Sequence, residues 1–432
     1  MTVSIVPLGV EEEISAREAQ FGRVHNSRLI SPTQVAASSS QLSDGRVVIT
    51  YEAKTGVYAR IIFADGKVSP EITVEANASS CASVAVWNDG TFVVVYMAKF
   101  EFAFEGVYSR VFNPDGSPKS PTRTRIAFGI LKLRGGLDRW RVSTPTVATS
   151  QQQYKYAVAW STGRSMHPKS GLSIRVIDVV SGLNTTDEYI VAPPTCYTSS
   201  NFNAAVQVVE MFPSLLAWVN QQEEAQFATH QVHTQVHMPN GPDQQQMPFL
   251  GDAPTIACLG PTGAPPEQVA NESIGHVSYV MAARSDLNPP IDKVKSAILY
   301  AIVDVGVATG GAAAHISSTK VTFIGRANEL PRSAVAVSGY PAVVGLGGAH
   351  IDKFVVCWND STNIVARVFD RQGVPQSSET ILLEGGAPIT LGGIAPCVAA
   401  LPDGSFYVAW THVVQIANVA HQTIHGRRFE LR

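Results

Sequence analysis

The sequence has little charge, few cysteines and no long apolar run, and each shortage excludes a class of protein. Charged residues make up 16% of the 432 residues and the formal net charge is −3, so the charge balance favours neither nucleic acid nor an anionic membrane as a partner. The five cysteines are scattered and form no C-x-x-C pair, so neither a disulfide framework nor a zinc knuckle is predicted. No segment approaches the roughly 20 apolar residues of a membrane span.

Signals for targeting and catalysis are also missing. The N-terminal MTVSIVPLGVEEEISAREAQ has no basic region followed by an apolar one, so no signal peptide is predicted and the localisation stays unknown. The sequence contains no G-x-S-x-G, Walker loop or H-E-x-x-H, and we expect no catalytic residues, no bound metal and no cofactor. Helical periodicity is nearly absent, although VEEEISAREAQ would allow one turn of helix.

What the sequence does have is a repeated phrase, in which a turn precedes an apolar run that ends on an aromatic residue. The copies include LSDGRVVITY, WNDGTFVVVY, HIDKFVVCW and LPDGSFYVAW, and a degenerate copy ends on methionine. The final residues of the seven copies are Tyr51, Tyr96, Trp160, Trp218, Met281, Trp358 and Trp410. Successive copies are 45, 64, 58, 63, 77 and 52 residues apart, so the repeat fills the chain.

The surroundings of the phrase repeat as well and predict the fold. A strand of small residues precedes each copy, and a strand with an arginine and a fourth short strand follow it, as in a β-meander. One such sheet cannot bury both faces alone, whereas seven arranged radially can. We therefore predict an all-β, seven-bladed β-propeller of four-stranded antiparallel blades, with small residues at the centre and the aromatic residues between blades.

Closure of the predicted ring depends on the two ends of the chain. The C-terminal TIHGRRFELR matches a third strand and then stops, while VPLGVEEEIS near the N-terminus resembles a fourth strand. We expect residues 1–15 to provide the closure strand that completes the last blade. The prediction is a single propeller domain over residues 1–432, with blades that start near residues 32, 80, 145, 203, 254, 340 and 395.

The repeat resembles one found in large bacterial surface and hemolysin-type proteins, whose units read L-x-D-G-x-x-V-V-x-W and then R-x-F-D-x-x-G. The resemblance covers most of the chain and is weakest in the fifth unit. It implies a seven-bladed propeller with a recognition or scaffold role, in an extracellular or virion-associated setting. It implies no catalytic residue set.

Two recurrent or clustered residue types have a functional and a structural interpretation. In five units the same position of the third strand is an arginine, and these are Arg60, Arg110, Arg175, Arg367 and Arg427. In a sixth unit this position is Gln235. For these arginines we favour a structural ion pair or a cap on a neighbouring loop, and a ring of sugar or anion sites is the alternative.

The three histidines His230, His233 and His237 have the spacing of metal ligands on a helix. The repeat, however, predicts a strand here, with His237 at the position of Phe112. The Asp-Gly pairs are interpreted as turns and not as calcium ligands.

Departures from the repeat are where we expect specificity. Residues 119–142 carry seven cations and one acid, Asp138, with aromatic residues between them, and are expected to form a long loop between the second and third blades. The candidate binding residues there are Arg134, Arg139, Trp140 and Arg141, which suit an acidic protein or glycan with the tryptophan as a stacking platform. Two Gly- and Ala-rich inserts are expected to project from the fifth blade.

Two functions fit these observations. The first is a non-enzymatic recognition or structural propeller that binds a protein partner or a glycan, within a surface, secreted or virion assembly. The second is a polysaccharide-active enzyme, a glycoside hydrolase or lyase, with its site at the mouth of the central channel. Equivalent pockets between blades would favour a lectin, and polar residues clustered at one channel mouth would favour the enzyme.

Overall fold

The computed structural model describes residues 3–15, 34–37, 45–53, 55–76, 78–100, 104–128, 131–133, 137–150, 154–164, 170–180, 189–190, 204–209, 212–224, 229–237, 244–250, 252–261, 267–269, 272–285, 297–309, 315–328, 341–359, 363–383, 396–416 and 419–432. Over these residues the chain forms β-strands and one 3₁₀ turn at Gly348–His350, with no α-helix. Glu11–Glu13 end a strand, so the helical turn that the sequence allowed does not form there.

The described strands form seven antiparallel sheets in which strands consecutive in the chain are usually neighbours. The first strand, β1 (Ile5–Glu13), joins the last sheet. The first sheet contains β2 (Gln34–Ala37), β3 (Val47–Ala53), β4 (Gly56–Ile62) and β5 (Ile72–Ala76). The second contains β6 (Ala78–Val86), β7 (Phe92–Phe100), β8 (Phe104–Phe112) and β9 (Thr124–Phe128). The third contains β10 (Leu131–Leu133), β11 (Leu137–Ser150), β12 (Lys155–Arg164), β13 (Ser170–Asp178) and β14 (Tyr189–Ile190).

The other sheets follow the same plan. The fourth contains β15 (Ala204–Val209), β16 (Phe212–Glu224), β17 (Thr229–His237) and β18 (Gln244–Leu250). The fifth contains β19 (Asp252–Pro261), β20 (Glu267–Val269), β21 (Glu272–Ser285), β22 (Ala297–Thr309) and β23 (His315–Arg326). The sixth contains β24 (Ala342–Gly345), β25 (Lys353–Asn359), β26 (Ile364–Asp370) and β27 (Thr380–Leu383). The last contains β28 (Cys397–Ala400), β29 (Phe406–Ile416), β30 (Val419–Leu431) and β1.

The third and fifth sheets have five strands, so the prediction of four strands in every unit is wrong for these two. In the third sheet β10 is an extra strand beside β11, and in the fifth β20 is an extra strand beside β21. Both extra strands come from segments that lengthen the repeat, where there is enough chain to fold back on an edge. The innermost strand of the third sheet accordingly begins at Leu137 and not near residue 145.

The first strands of neighbouring sheets contact one another in a closed series. β2 contacts β6, and the contacts continue through β11, β15, β19, β24 and β28 back to β2. These are the strands rich in small residues, such as Cys397–Ala400. Their position at the centre is the one that their composition predicts, because only short side chains fit around a crowded axis. The fold is therefore a β-propeller of antiparallel blades.

The aromatic residues that end the repeated phrase lie between neighbouring sheets, as predicted. Tyr96 packs with residues of the first sheet, and Trp160 packs with residues of the second. Tyr51, Trp358 and Trp410 likewise pack against the sheet before their own. All five are at most 3% exposed, so each adds a large apolar side chain to the contact between two blades.

The N-terminal strand is the outermost strand of the last sheet. β1 pairs antiparallel with β30 from Ile5↔Leu431 to Glu13↔His425, which is the pairing that the sequence predicts for residues near the N-terminus. The contact continues past the strand, because the amide of Ile14 donates to the carbonyl oxygen of Ile424 at 2.7 Å. The two ends of the chain are thus hydrogen-bonded in one sheet.

Candidate binding site

The repeated arginines of the third strands donate hydrogen bonds to backbone carbonyl oxygens near the outer strands. The acceptors are Ser69 for Arg60 at 2.5 Å, Val74 for Arg110 at 3.0 Å, Ile126 for Arg175, Ala327 for Arg367 at 3.2 Å and Gly9 for Arg427 at 2.6 Å. Three of these acceptors, Val74, Ile126 and Ala327, belong to the sheet before that of the arginine. Arg110, Arg175 and Arg367 therefore fasten one blade to the one before it, whereas Arg60 and Arg427 bond within their own blade. This geometry supports the structural interpretation of the arginines, with carbonyl groups as the partners.

The alignment of the fourth unit is wrong by two residues. In the second sheet Arg110 pairs with Val94, which stands two residues before the aromatic Tyr96. In the fourth sheet the residue two before Trp218 pairs with His237, whereas Gln235 pairs with Trp218 itself. His237 thus occupies the position that arginine has in the other blades. Gln235 does not occupy it, and His237 is not the counterpart of Phe112. The alignment relied on the turn motif that follows β17. The register of β17 on β16 is instead set by the hairpin that precedes β17.

The histidine-rich segment forms a strand, as the repeat predicts. His230, His233 and His237 all lie on β17, where they pair in register with Glu223, Asn220 and Leu216 of β16. The helical geometry that would place three ligands on one side is not formed. Nothing in this strand pairing brings the three histidines together as a ligand set.

Part of the basic segment is already paired with the second sheet. Arg123 forms an ion pair with Glu75 at 2.9 Å, and its guanidinium carbon lies 4.2 Å from the ring centroid of Tyr108. Tyr96 donates to the same carboxylate at 2.9 Å. Burial is the largest single influence and acts to lower the pKa of Arg123, but the charge and the hydrogen bond of Glu75, together with the nearby tyrosines, outweigh it and the pKa is raised. Burial, and then the charge of Glu75, also raise the pKa of Tyr96. Arg123 is therefore part of the contact between the first two blades.

The remaining basic segment is not the free loop that we expected. Residues Thr124–Phe128 form β9, the fourth strand of the second sheet, and Leu131–Leu133 form a hairpin strand with the start of β11. The sequence contains strand-forming residues between its cations, and β10 and β11 use them to extend the third sheet. This extension, residues 131–133, 137–143 and 161–164, is called the basic ribbon below.

The basic ribbon contains three of the four candidate binding residues. Arg139 pairs in register with Leu131 of β10, Trp140 with Arg164 of β12, and Arg141 with Gly163. Arg134 lies outside the described residues. The sequence did not single out Arg164, because it comes one strand later and only the register of β12 places it beside Trp140. The ribbon thus brings basic positions of three strands together with an aromatic one.

The fifth sheet is also extended, whereas the sequence led us to expect inserts that project from this blade. β21 and β22 pair over thirteen positions, from Ser273↔Thr309 to Ser285↔Ala297, and β20 adds a short edge strand at Glu267–Val269. The described residues of the inserts therefore lengthen strands and add a strand to the sheet beyond the repeat. It is the second place where the chain departs from the plan of the other blades.

The Asp-Gly pairs form turns, as the sequence predicts. Gly90 and Gly404 have φ values of 82° and 86°, which favour glycine. The carboxylate of Asp89 accepts the amide of Thr91 at 2.9 Å, and that of Asp403 accepts the amide of Ser405 at 3.0 Å. Each aspartate thus binds its own turn two residues further on, as is common for turn aspartates.

Comparison with known proteins gives structural likenesses only. No family model matches the chain and no curated protein does. An α-L-arabinofuranosidase of Fusarium graminearum is 11% identical, with 96% of each chain covered and a TM-score of 0.43. A protein of unknown function from Dyadobacter fermentans is 11% identical, with full coverage of both chains and a TM-score of 0.44. A microbial sialidase, Hz136, is 10% identical over 99% of this chain and 94% of its own, with a TM-score of 0.43. No residue role is carried over at these values.

The described part of the chain contains no helix that is long and apolar enough to cross a membrane.

Proposed function

We propose that this protein is a seven-bladed β-propeller that acts by binding a protein partner or a glycan and is not itself a catalyst. Each of the seven described sheets is one blade in this proposal. The closed series of contacts between their first strands supports that count, since it includes every sheet and ends on the one where it began. The resemblance to repeats of surface and hemolysin-type proteins fits a place in a surface, secreted or virion assembly.

The basic ribbon is the observation that carries the proposal. The repeated arginines donate to backbone carbonyl groups within or between blades and serve the fold. The departures from the repeat are therefore the better source of specificity. The ribbon combines Lys132, Arg139, Arg141 and Arg164 with Trp140 on adjacent strands. Cations and an aromatic residue on one ribbon suit a carboxylated or sulfated glycan, or an acidic protein surface, because the cations supply charge and the ring supplies contact area.

A glycan array combined with an activity assay tests this function. We expect the full chain to bind acidic glycans in preference to neutral ones, with affinity that falls as salt is raised. The same glycans, together with arabinan and pectin, are incubated with the protein and assayed for new reducing ends or unsaturated products. Turnover of any of them would contradict the non-enzymatic proposal and support a site at the channel mouth.

A further inference from the structure

Three metal-ligating side chains meet at the seam between the two ends of the chain. Glu11 lies on β1, His412 on β29 and His425 on β30, and these strands are neighbours in the last sheet. One ligand atom of each residue lies within 4.8 Å of the other two. The two histidines lie on the paired strands β29 and β30, and Glu11, 414 positions from His425, joins them only when the sheet closes.

The local backbone explains why these three side chains converge. His425 pairs in register with Trp410, so His412 lies diagonally across from it, and the two imidazole centroids are 4.6 Å apart. The register of β1 shifts between Leu8 and Glu12, and Glu11 falls within this irregular stretch. The shifted strand brings the Glu11 carboxylate to 2.6 Å from Nδ1 of His425.

The hydrogen bonds around His425 orient it as a metal ligand. Its Nε2 lies 2.9 Å from Oγ1 of Thr423, so Nε2 can keep its proton while Nδ1, which shares a proton with Glu11 in the metal-free chain, becomes the ligand atom. A partner on the second ring nitrogen is the usual arrangement for a metal-bound imidazole, because it fixes the tautomer and the ring plane. Burial, and then the charge of His425, lower the pKa of His412. Glu13 also acts on His412 and adds negative charge near the cluster.

We propose that Glu11, His412 and His425 bind one divalent transition-metal ion, with Zn²⁺ as the best fit. Two imidazole nitrogens and one carboxylate oxygen are a common zinc ligand set, and the fourth position of the tetrahedron goes to water. Ligand atoms around such an ion lie about 3.3 Å apart at metal–ligand distances of about 2.0–2.2 Å. The ligand atoms here lie within 4.8 Å of one another, so their separations have to change by at most about 1.5 Å. The proton between Glu11 and His425 leaves when the ion binds.

The proposed ion joins the N-terminal strand to the two C-terminal strands. Because it binds the folded sheet and not the separated ends, its binding stabilises the closed ring. Zinc at this site should therefore stabilise the fold, which zinc bound by chance to a surface histidine would not do. Zinc is expected to raise the melting temperature and to slow amide hydrogen exchange over residues 5–13.

Calorimetry on the metal-stripped full chain tests the proposal. We expect one Zn²⁺ per chain, a melting temperature that rises with zinc concentration, and absorption bands of four-coordinate cobalt when Co²⁺ replaces zinc. His412→Gln and His425→Gln should each weaken binding at least tenfold. A triple variant, His230→Gln with His233→Gln and His237→Gln, is the matched control and should bind zinc as the wild type does. Circular dichroism checks that every variant is folded.

Two results would overturn the proposal. One is a wild-type chain without saturable zinc binding. The other is equal zinc binding by wild type and a folded double variant of His412 and His425, or loss of binding in the triple control instead. Thr423→Ala provides a milder variant that keeps all three ligands, and it should weaken zinc binding with little change in the stability of the metal-free chain.

Discussion

Replacement of Ile14 by alanine tests how strongly the N-terminal strand contributes to the last blade. Ile14 is 1% exposed and packs in a cluster with residues of the first and last sheets, among them Tyr51, Tyr407 and Ile424. A buried isoleucine changed to alanine typically costs about 2–5 kcal/mol, from lost apolar burial and the cavity left behind. The middle of that range, about 3 kcal/mol, is a large share of the total stability of a typical protein.

The expected change can be measured by urea or thermal unfolding. At about 2.1 cal/mol/K per residue, the entropy of unfolding of a chain of this length is about 0.9 kcal/mol/K. A loss of about 3 kcal/mol should therefore lower the melting temperature by about 3 °C. Val10→Ala on β1, four residues before Ile14, is the matched control, because Val10 is 77% exposed and should change stability by less than about 0.5 kcal/mol. If Ile14→Ala and Val10→Ala unfold alike, the N-terminal strand is not packed into the last blade as described.

Three further predictions concern the contacts within and between blades. Trp160→Ala should lower the unfolding free energy by about 3–5 kcal/mol in a denaturant titration, because the indole is fully buried between two sheets. Glu75→Gln removes the charge that Arg123 and Tyr96 share, and the melting temperature should fall more than it does for Glu430→Gln, whose ion pair is at the surface. Burial acts to raise the pKa of Asp403, but its hydrogen bonds from Ser405 and the charge of Arg428 hold it below the usual value. Its contribution to stability is therefore present above pH 4 and lost as the pH falls further, so Asp403→Asn should flatten the acid side of a plot of melting temperature against pH.

The periodic part of this fold is readable from the sequence. The aromatic residues that end the apolar runs recur in most units and Asp-Gly turns in three of them, and each predicts a local structure that the fold then uses in the same way. The pairing of β1 with β30 was also predictable, because the last unit lacks a fourth strand and the N-terminal segment resembles one. These inferences succeed because a propeller applies one set of local rules in every blade.

Features that belong to one blade only could not be predicted in this way. The strand register of the fourth sheet differs from the repeat by two residues, which moves Gln235 out of the arginine position. The basic segment was expected to be a loop, since its cations hide the pairing of Leu131 and Leu133 with β11. The cluster of Glu11 with His412 has no local sequence signal, because it exists only when the ends of the chain meet.

The central claim is that the repeated arginines hold the blades together and that the basic ribbon binds the partner. A comparison of two sets of variants tests this claim. Two properties are measured for each variant: its binding to immobilised heparin, which serves as an acidic glycan probe, and its melting temperature. The first set reverses Arg134, Arg139 and Arg141 to glutamate, and the second changes Arg110 and Arg367 to glutamine. A charge-matched control reverses the surface residues Lys67, Lys320 and Arg432.

The account predicts that reversal in the ribbon abolishes retention on heparin while the melting temperature stays within about 1 °C of the wild type. Loss of the repeated arginines should do the opposite, because they are engaged with carbonyl groups between blades. The charge-matched control should keep both properties. Unfolding of the ribbon variant, or retention on heparin equal to that of the wild type, would contradict the claim.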